Sequence, residues 1–78
     1  MKEKIAEAHA VLCALKNWSR IDQVEFAMVG GPEDGIPTLH LHLCYGVELS
    51  DLPLAYRQLT VVWSGSHENG KAFSLQVA

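Results

Sequence analysis

The sequence predicts an α+β domain in which one N-terminal helix packs on a four-stranded, mainly antiparallel sheet built as two β-hairpins. Apolar residues recur at three- and four-residue spacing over residues 2–18, as on one side of a helix. Four later segments alternate apolar and polar residues, as half-buried strands do, and turn residues separate the strands of each pair. With 78 residues, the chain is expected to form a single domain over residues 1–78.

The predicted helix carries one apolar stripe that is expected to face the sheet. The stripe consists of Ile5, Ala8, Val11, Leu12, Leu15 and Trp18. Asn17 and Ser19 are unfavourable in a helix interior and mark the end of the helix. Cys13 lies beside the stripe, so we expect it to be partly buried.

The first two predicted strands, Ile21–Val29 and residues 38–45, define the two faces of the sheet. We call the face that carries Leu39, Leu41 and Leu43 the core face, and the face that carries His40, His42 and Cys44 the second face. Antiparallel pairing must put Val24, Phe26 and Met28 on the core face as well, because a slip of one residue would expose the leucines to water.

On the second face, the same pairing brings polar side chains of both strands together. Glu25 is expected across from or diagonal to His40 and His42, and Gln23 is expected near Cys44. We interpret Glu25 and His42 as partners in a half-exposed, charge-assisted hydrogen bond.

The last two predicted strands, residues 57–65 and 72–77, form the second hairpin. The Asn69-Gly70 pair suggests a two-residue turn, but that register sets Trp63 opposite Gln76. A three-residue loop that ends with Gly70 in the left-handed bulge position sets Trp63 opposite Leu75, on the core face. We therefore predict the three-residue loop, which also places Ser64 on the second face.

Two loops complete the chain. Residues 30–37 are rich in glycine and proline and are expected to connect the first hairpin. They carry acidic residues and lack the lysine of a phosphate-binding P-loop. A turn or single helical turn is predicted for residues 50–54.

Charge argues against nucleic acid as a partner. The formal net charge is −3, and residues 21–56 contain six acidic side chains and neither Lys nor Arg. Nucleic-acid binding depends on Lys and Arg that neutralise phosphates. The sequence has no stretch that resembles a signal peptide or a membrane span, so we expect no membrane binding, a cytoplasmic location and reduced thiols at Cys13 and Cys44.

The second face carries small and mildly polar side chains where a free sheet face usually carries Lys and Glu. Two interpretations fit this pattern: a merely neutral surface, or an interface that a protein covers. We expect a non-enzymatic interaction or regulatory module that needs no cofactor and forms a homodimer or binds another protein. The predicted interface residues are Glu25, Ala27, His40, His42, Thr60, Val62, Ser64, Ser74 and Gln76.

A metal-binding protein or small metalloenzyme is the alternative function. His40 and His42 project to the same side of one strand, as many zinc sites require, and Glu25 and Cys44 could complete the ligand set. No CxxC or HExxH pattern supports this alternative. Cys44 with a histidine as nucleophile and base is disfavoured, because neighbouring side chains on one face of a strand project in parallel.

Overall fold

The computed structural model describes residues 2–31, 34–52 and 59–76. Its elements are α1 (Lys2–Lys16), β1 (Ile21–Val29), β2 (Ile36–Leu43), a 3₁₀ turn (Leu49–Asp51), β3 (Thr60–His67) and β4 (Gly70–Gln76). The strands form one antiparallel sheet in the order β1-β2-β4-β3. One helix packed on a four-stranded antiparallel sheet confirms the predicted α+β fold.

The hydrophobic core lies between α1, the 3₁₀ turn and the core face of the sheet. Five leucines that are at most 2% exposed form its centre: Leu15, Leu39, Leu41, Leu52 and Leu75. α1 lies against β1 and β2, and Leu52 follows the 3₁₀ turn. The predicted apolar stripe of α1 therefore faces the sheet, with Ala8 fully buried as well.

The register of β1 and β2 agrees with the prediction. Val24 lies opposite Leu41 and Phe26 lies opposite Leu39, so all four side chains share the core face. The ladder is irregular only near its end, where Asp22 is an extra residue between Ile21 and Gln23. Burial of the leucines on one face thus selects the register, as expected for strands that are half buried.

The register of β3 and β4 differs from the prediction. His67 pairs with Gly70, so the turn consists of Glu68 and Asn69 only. Gly70, which was predicted as the third residue of the loop, is instead the first residue of β4. Trp63 consequently lies opposite Ser74, and Val62 is an extra residue, because the ladder shifts between Val61 and Trp63. The prediction that Trp63 lies opposite Leu75 on the core face is therefore wrong.

The earlier turn also moves Ser64. It lies opposite Phe73 on the core face, so its predicted place on the second face is wrong. A physical reason for the glycine at position 70 is its close approach to another strand: a Cβ there would collide with the carbonyl oxygen of Leu43 and approach Cys44. This contact lies between β4 and the end of β2, so turn chemistry alone does not reveal it.

Other local predictions have mixed outcomes. The helical turn is a 3₁₀ turn at Leu49–Asp51, slightly earlier than predicted, and residues 53–58, which include the predicted start of the third strand, lie outside the described residues. Cys13 is exposed, not partly buried, and both Cys13 and Cys44 are free thiols. Among the described residues, no helix is long and apolar enough to cross a membrane.

We predict that Gly70→Ala lowers the free energy of unfolding more than Gly46→Ala does. Gly46 has a φ of 81° and open space around its Cα, so an alanine there meets only the backbone strain of about 1–2 kcal/mol. Alanine at Gly70 also meets the backbone of β2, and such overpacking costs about 1–3 kcal/mol more. Urea denaturation of both variants measures the difference, and equal losses would contradict the close approach.

Candidate functional site

The second face is crossed by three rows of directly paired residues that run from β1 to β3. The rows are Gln23, His42, Ala72 and Gly65; Glu25, His40, Ser74 and Trp63; and Ala27, Thr38, Gln76 and Thr60. These rows contain neither Lys nor Arg and carry a single carboxylate. Glu25, Ala27, His40, His42, Thr60, Ser74 and Gln76 share this face as the sequence predicted.

The polar groups in the centre of the second face are bonded to one another. The hydroxyl of Ser74 and Nδ1 of His40 form a hydrogen bond of 2.7 Å, and Ser74 is 7% exposed. Gln76 Nε2 donates to Thr38 Oγ1 at 3.2 Å, and the same hydroxyl donates to the carbonyl oxygen of Ile36 at 2.9 Å. Among the described residues, no buried side-chain nitrogen or oxygen lacks a hydrogen-bond partner.

His42 and His67 form a stacked pair at one end of the second face. Their ring centroids are 4.3 Å apart and their planes differ by 17°. His67 Nε2 donates to the carbonyl oxygen of Leu43 at 2.9 Å, and Nδ1 accepts from the backbone N–H of Asn69 at 3.2 Å. These two bonds require the neutral ring with its hydrogen on Nε2, so His67 ties the β3–β4 turn to the end of β2.

Glu25 lies opposite His40 in the ladder, as expected, but bonds to a neighbour on its own strand. Its Oε1 accepts from Gln23 Nε2 at 2.8 Å. The only ion pair that the structure gives for the described residues joins Lys71 and Glu48, so the predicted charge-assisted bond from Glu25 to a histidine is wrong.

Cys44 contacts the segment that precedes β1. It follows the end of β2, and its Sγ lies 3.9 Å from the carbonyl oxygen of Ser19. Gln23, which was expected near Cys44, lies opposite His42 instead. Within residues 2–31, 34–52 and 59–76, no group of three or more His, Cys, Asp or Glu side chains is placed to hold a metal ion.

Ser74 and His40 have the composition of a nucleophile and its base, because a hydroxyl is bonded to an imidazole. In hydrolases a carboxylate orients such an imidazole. The carboxylate opposite His40 is that of Glu25, and it is engaged by Gln23. The Ser74 hydroxyl is buried in the sheet, and Glu25 does not orient the imidazole of His40 as the carboxylate of a triad would.

The β3 border of the second face carries exposed apolar side chains. Trp63 lies in one of the three rows, and Val62, which was predicted for this face, is the unpaired extra residue beside it. Val62 is 49% exposed and Trp63 is 53% exposed. A Cβ at Gly65 would lie 2.5 Å from Cη2 of Trp63, so the indole lies along β3 over the glycine. The sequence predicted Trp63 on the core face. The only signal for its observed position is that Val61, Val62 and Trp63 are all apolar, so apolar–polar alternation fits either face for Trp63.

A separate groove of about 440 Å³ lies where the end of β2 approaches the β3–β4 turn. Tyr45, which is 90% exposed, Glu48 and Lys71 are among its lining residues. The Lys71 ammonium is already paired with the Glu48 carboxylate, and both side chains are about half exposed. Such a surface pair contributes little to stability, and here it neutralises the groove's lysine.

Comparison with known proteins found no matching family model, no matching curated protein and no matching solved structure. The geometry of the second face and of β3 is therefore the basis for the functional argument.

We predict that His67→Phe lowers the free energy of unfolding by about 1–2 kcal/mol, because it retains an aromatic ring and removes two hydrogen bonds. The matched control is His9→Phe. The ring of His9 stacks on Phe26 at 4.5 Å, and the structure gives it no hydrogen bond, so its replacement should change stability by at most about 0.5 kcal/mol. Chemical denaturation measures both, and equal effects would contradict the role of His67.

Proposed function

We propose that this protein is a small non-enzymatic interaction module that binds a protein, either a second copy or another partner, through the second face. The observation that carries the proposal is the exposure of Val62 and Trp63 side by side at the β3 border of this face. Exposed apolar clusters beside polar residues are typical of protein-binding surfaces, and tryptophan is enriched among the residues that dominate binding energy.

The polar centre of the second face supports the same proposal. Covering a polar group is costly when it loses its hydrogen bonds to water and gains none. The side chains of Ser74, His40, Thr38 and Gln76 already bond within the face. A partner can therefore lie over them without breaking these hydrogen bonds.

The energy that these apolar residues can supply sets a lower limit on the size of the contact. Burying a whole large apolar side chain contributes about 1.5–3 kcal/mol, so covering the exposed halves of Val62 and Trp63 contributes about 1.5–3 kcal/mol together. A micromolar complex requires about 8 kcal/mol. The interface must therefore include more of the face or backbone hydrogen bonds at its edge.

Charge favours a protein as the partner. The three rows of the second face contain no Lys or Arg, so this surface has nothing with which to neutralise phosphates. Its one carboxylate, Glu25, is at the border on β1 and bonded to Gln23. An apolar border with a neutral centre matches the depletion of charge in the cores of protein interfaces.

We predict that Val62→Lys abolishes association, because it places a charge within the exposed apolar border. The measurement is the native mass of the chain by sedimentation at several concentrations, together with the binding of any partner. The control is Ala10→Lys, which adds the same charge at an exposed position of α1.

The control variant should associate as the original chain does. A chain that stays monomeric at high concentration, with no partner whose binding responds to Val62→Lys, would contradict the proposed function. Circular dichroism of both variants establishes that they are folded.

A further inference from the structure

We infer that the partner is a second copy of this chain, and that the two copies pair antiparallel through the open edges of their β3 strands about a two-fold axis. The two four-stranded sheets would then form one continuous sheet of eight strands. This inference rests on the proposed function at one point, the exposed border formed by Val62 and Trp63. It adds the occupant, the contacting edge and the register, and it leaves the centre of the second face uncovered.

Among the strands that the structure describes, β3 is terminal, and no described strand pairs with its outer edge. Every residue from Thr60 to Ser66 is exposed, and the strand contains no Lys, Arg, Asp, Glu or Pro. Charged side chains and prolines are the usual means by which a free edge avoids pairing with another strand. β3 has one protective feature, the bulge at Val62, which leaves the segment from Trp63 to His67 regularly paired with β4.

The other free edge of the sheet differs in charge. β1 carries Asp22 and Glu25, both exposed, so pairing of β1 with its own copy would bring carboxylates towards one another. Pairing of β3 with itself brings no formal charges together. Pairing of β3 with β1 of another copy would be a head-to-tail contact, which leaves one β3 edge and one β1 edge free to add further copies. Two-fold pairing of β3 with β3 uses both β3 edges and ends at a dimer.

The side chains of β3 also fit their own copy. Two-fold antiparallel pairing keeps the second faces of both sheets on the same side. With the axis near Ser64, Trp63 of each copy lies across from Gly65 of the partner subunit. Each indole lies along β3 over its own Gly65, so the two indoles would lie side by side across the new strand pair.

The expected association is reversible. One pair of edge strands buries less surface than the roughly 1,600 Å² of a standard stable interface, so the dimer belongs to the weak, transient class. The strand contributes backbone hydrogen bonds, and Val62 and Trp63 contribute apolar contacts. The dimer should therefore dissociate on dilution, and the experiment must include high chain concentrations.

The test is disulfide crosslinking by Ser64→Cys in a chain that also carries Cys13→Ser and Cys44→Ser. With the axis near Ser64, the two introduced thiols lie directly opposite each other, at a separation that a disulfide can span. Mild oxidation at high concentration should convert most of this variant into a covalent dimer. The control is Gln23→Cys in the same background, an exposed position on β1 that should give at most a small fraction of dimer.

A second measurement compares two valines of nearly equal exposure on the two edge strands, Val62 at 49% and Val29 at 45%. Val62→Lys should raise the dissociation constant of the dimer at least about tenfold, and Val29→Lys should leave it within about twofold. A dimer that is disrupted equally by both changes and is not crosslinked at position 64 would be packed face to face. That result would contradict pairing through the β3 edges and would leave the proposed function intact.

A chain that is monomeric at every concentration also overturns this inference. The proposed function survives that result only when the binding of a different protein is lost on Val62→Lys, and it falls when no such partner exists. The failure of the edge pairing and the failure of the proposed function are thus separate outcomes.

Discussion

Burial of the leucines of β2 is the constraint on which the rest of the structure depends. β2 is hydrogen-bonded on both sides, to β1 and to β4, and Leu39, Leu41 and Leu43 are each at most 1% exposed. Because strand residues alternate between faces, burying these three side chains on one face turns the residues between them, His40 and His42, to the opposite face. Pairing then extends this orientation to both neighbours, so the second face exists because the leucine face is buried.

The register of the first hairpin could be predicted because both of its strands alternate without ambiguity. A slip of one residue would expose Leu39, Leu41 and Leu43 together, and no alternative placement recovers that loss. β3 has no such constraint. Val61, Val62 and Trp63 are three consecutive apolar residues, so the alternation fits two registers equally well. The choice between them depends on contacts with other strands, including the approach of Gly70 to the backbone at Leu43, which local sequence does not show.

In the candidate site, alternation determines the face on which each residue lies, whereas strand order and turn length determine which residues it contacts. Alternation correctly placed Glu25, His40 and His42 on one face. It could not identify their partners, because each polar side chain has several neighbours within reach. Ser74 binds His40 because β4, not β3, lies beside β2, and His67 stacks on His42 because the early turn brings it to that end of the sheet. Both contacts depend on strand order and turn length.

The position of Trp63 has a consequence for stability that bears on function. The register set by the two-residue turn places Trp63 on the second face, where about half of the residue stays in water. A small domain buries a smaller share of its surface than a large one, so an exposed tryptophan is a considerable loss. Full burial of such a side chain is worth about 1.5–3 kcal/mol, so the isolated chain forgoes about half of that amount. A cover over β3 would recover this energy. The most exposed part of the sheet is therefore also the part that gains most from a second strand.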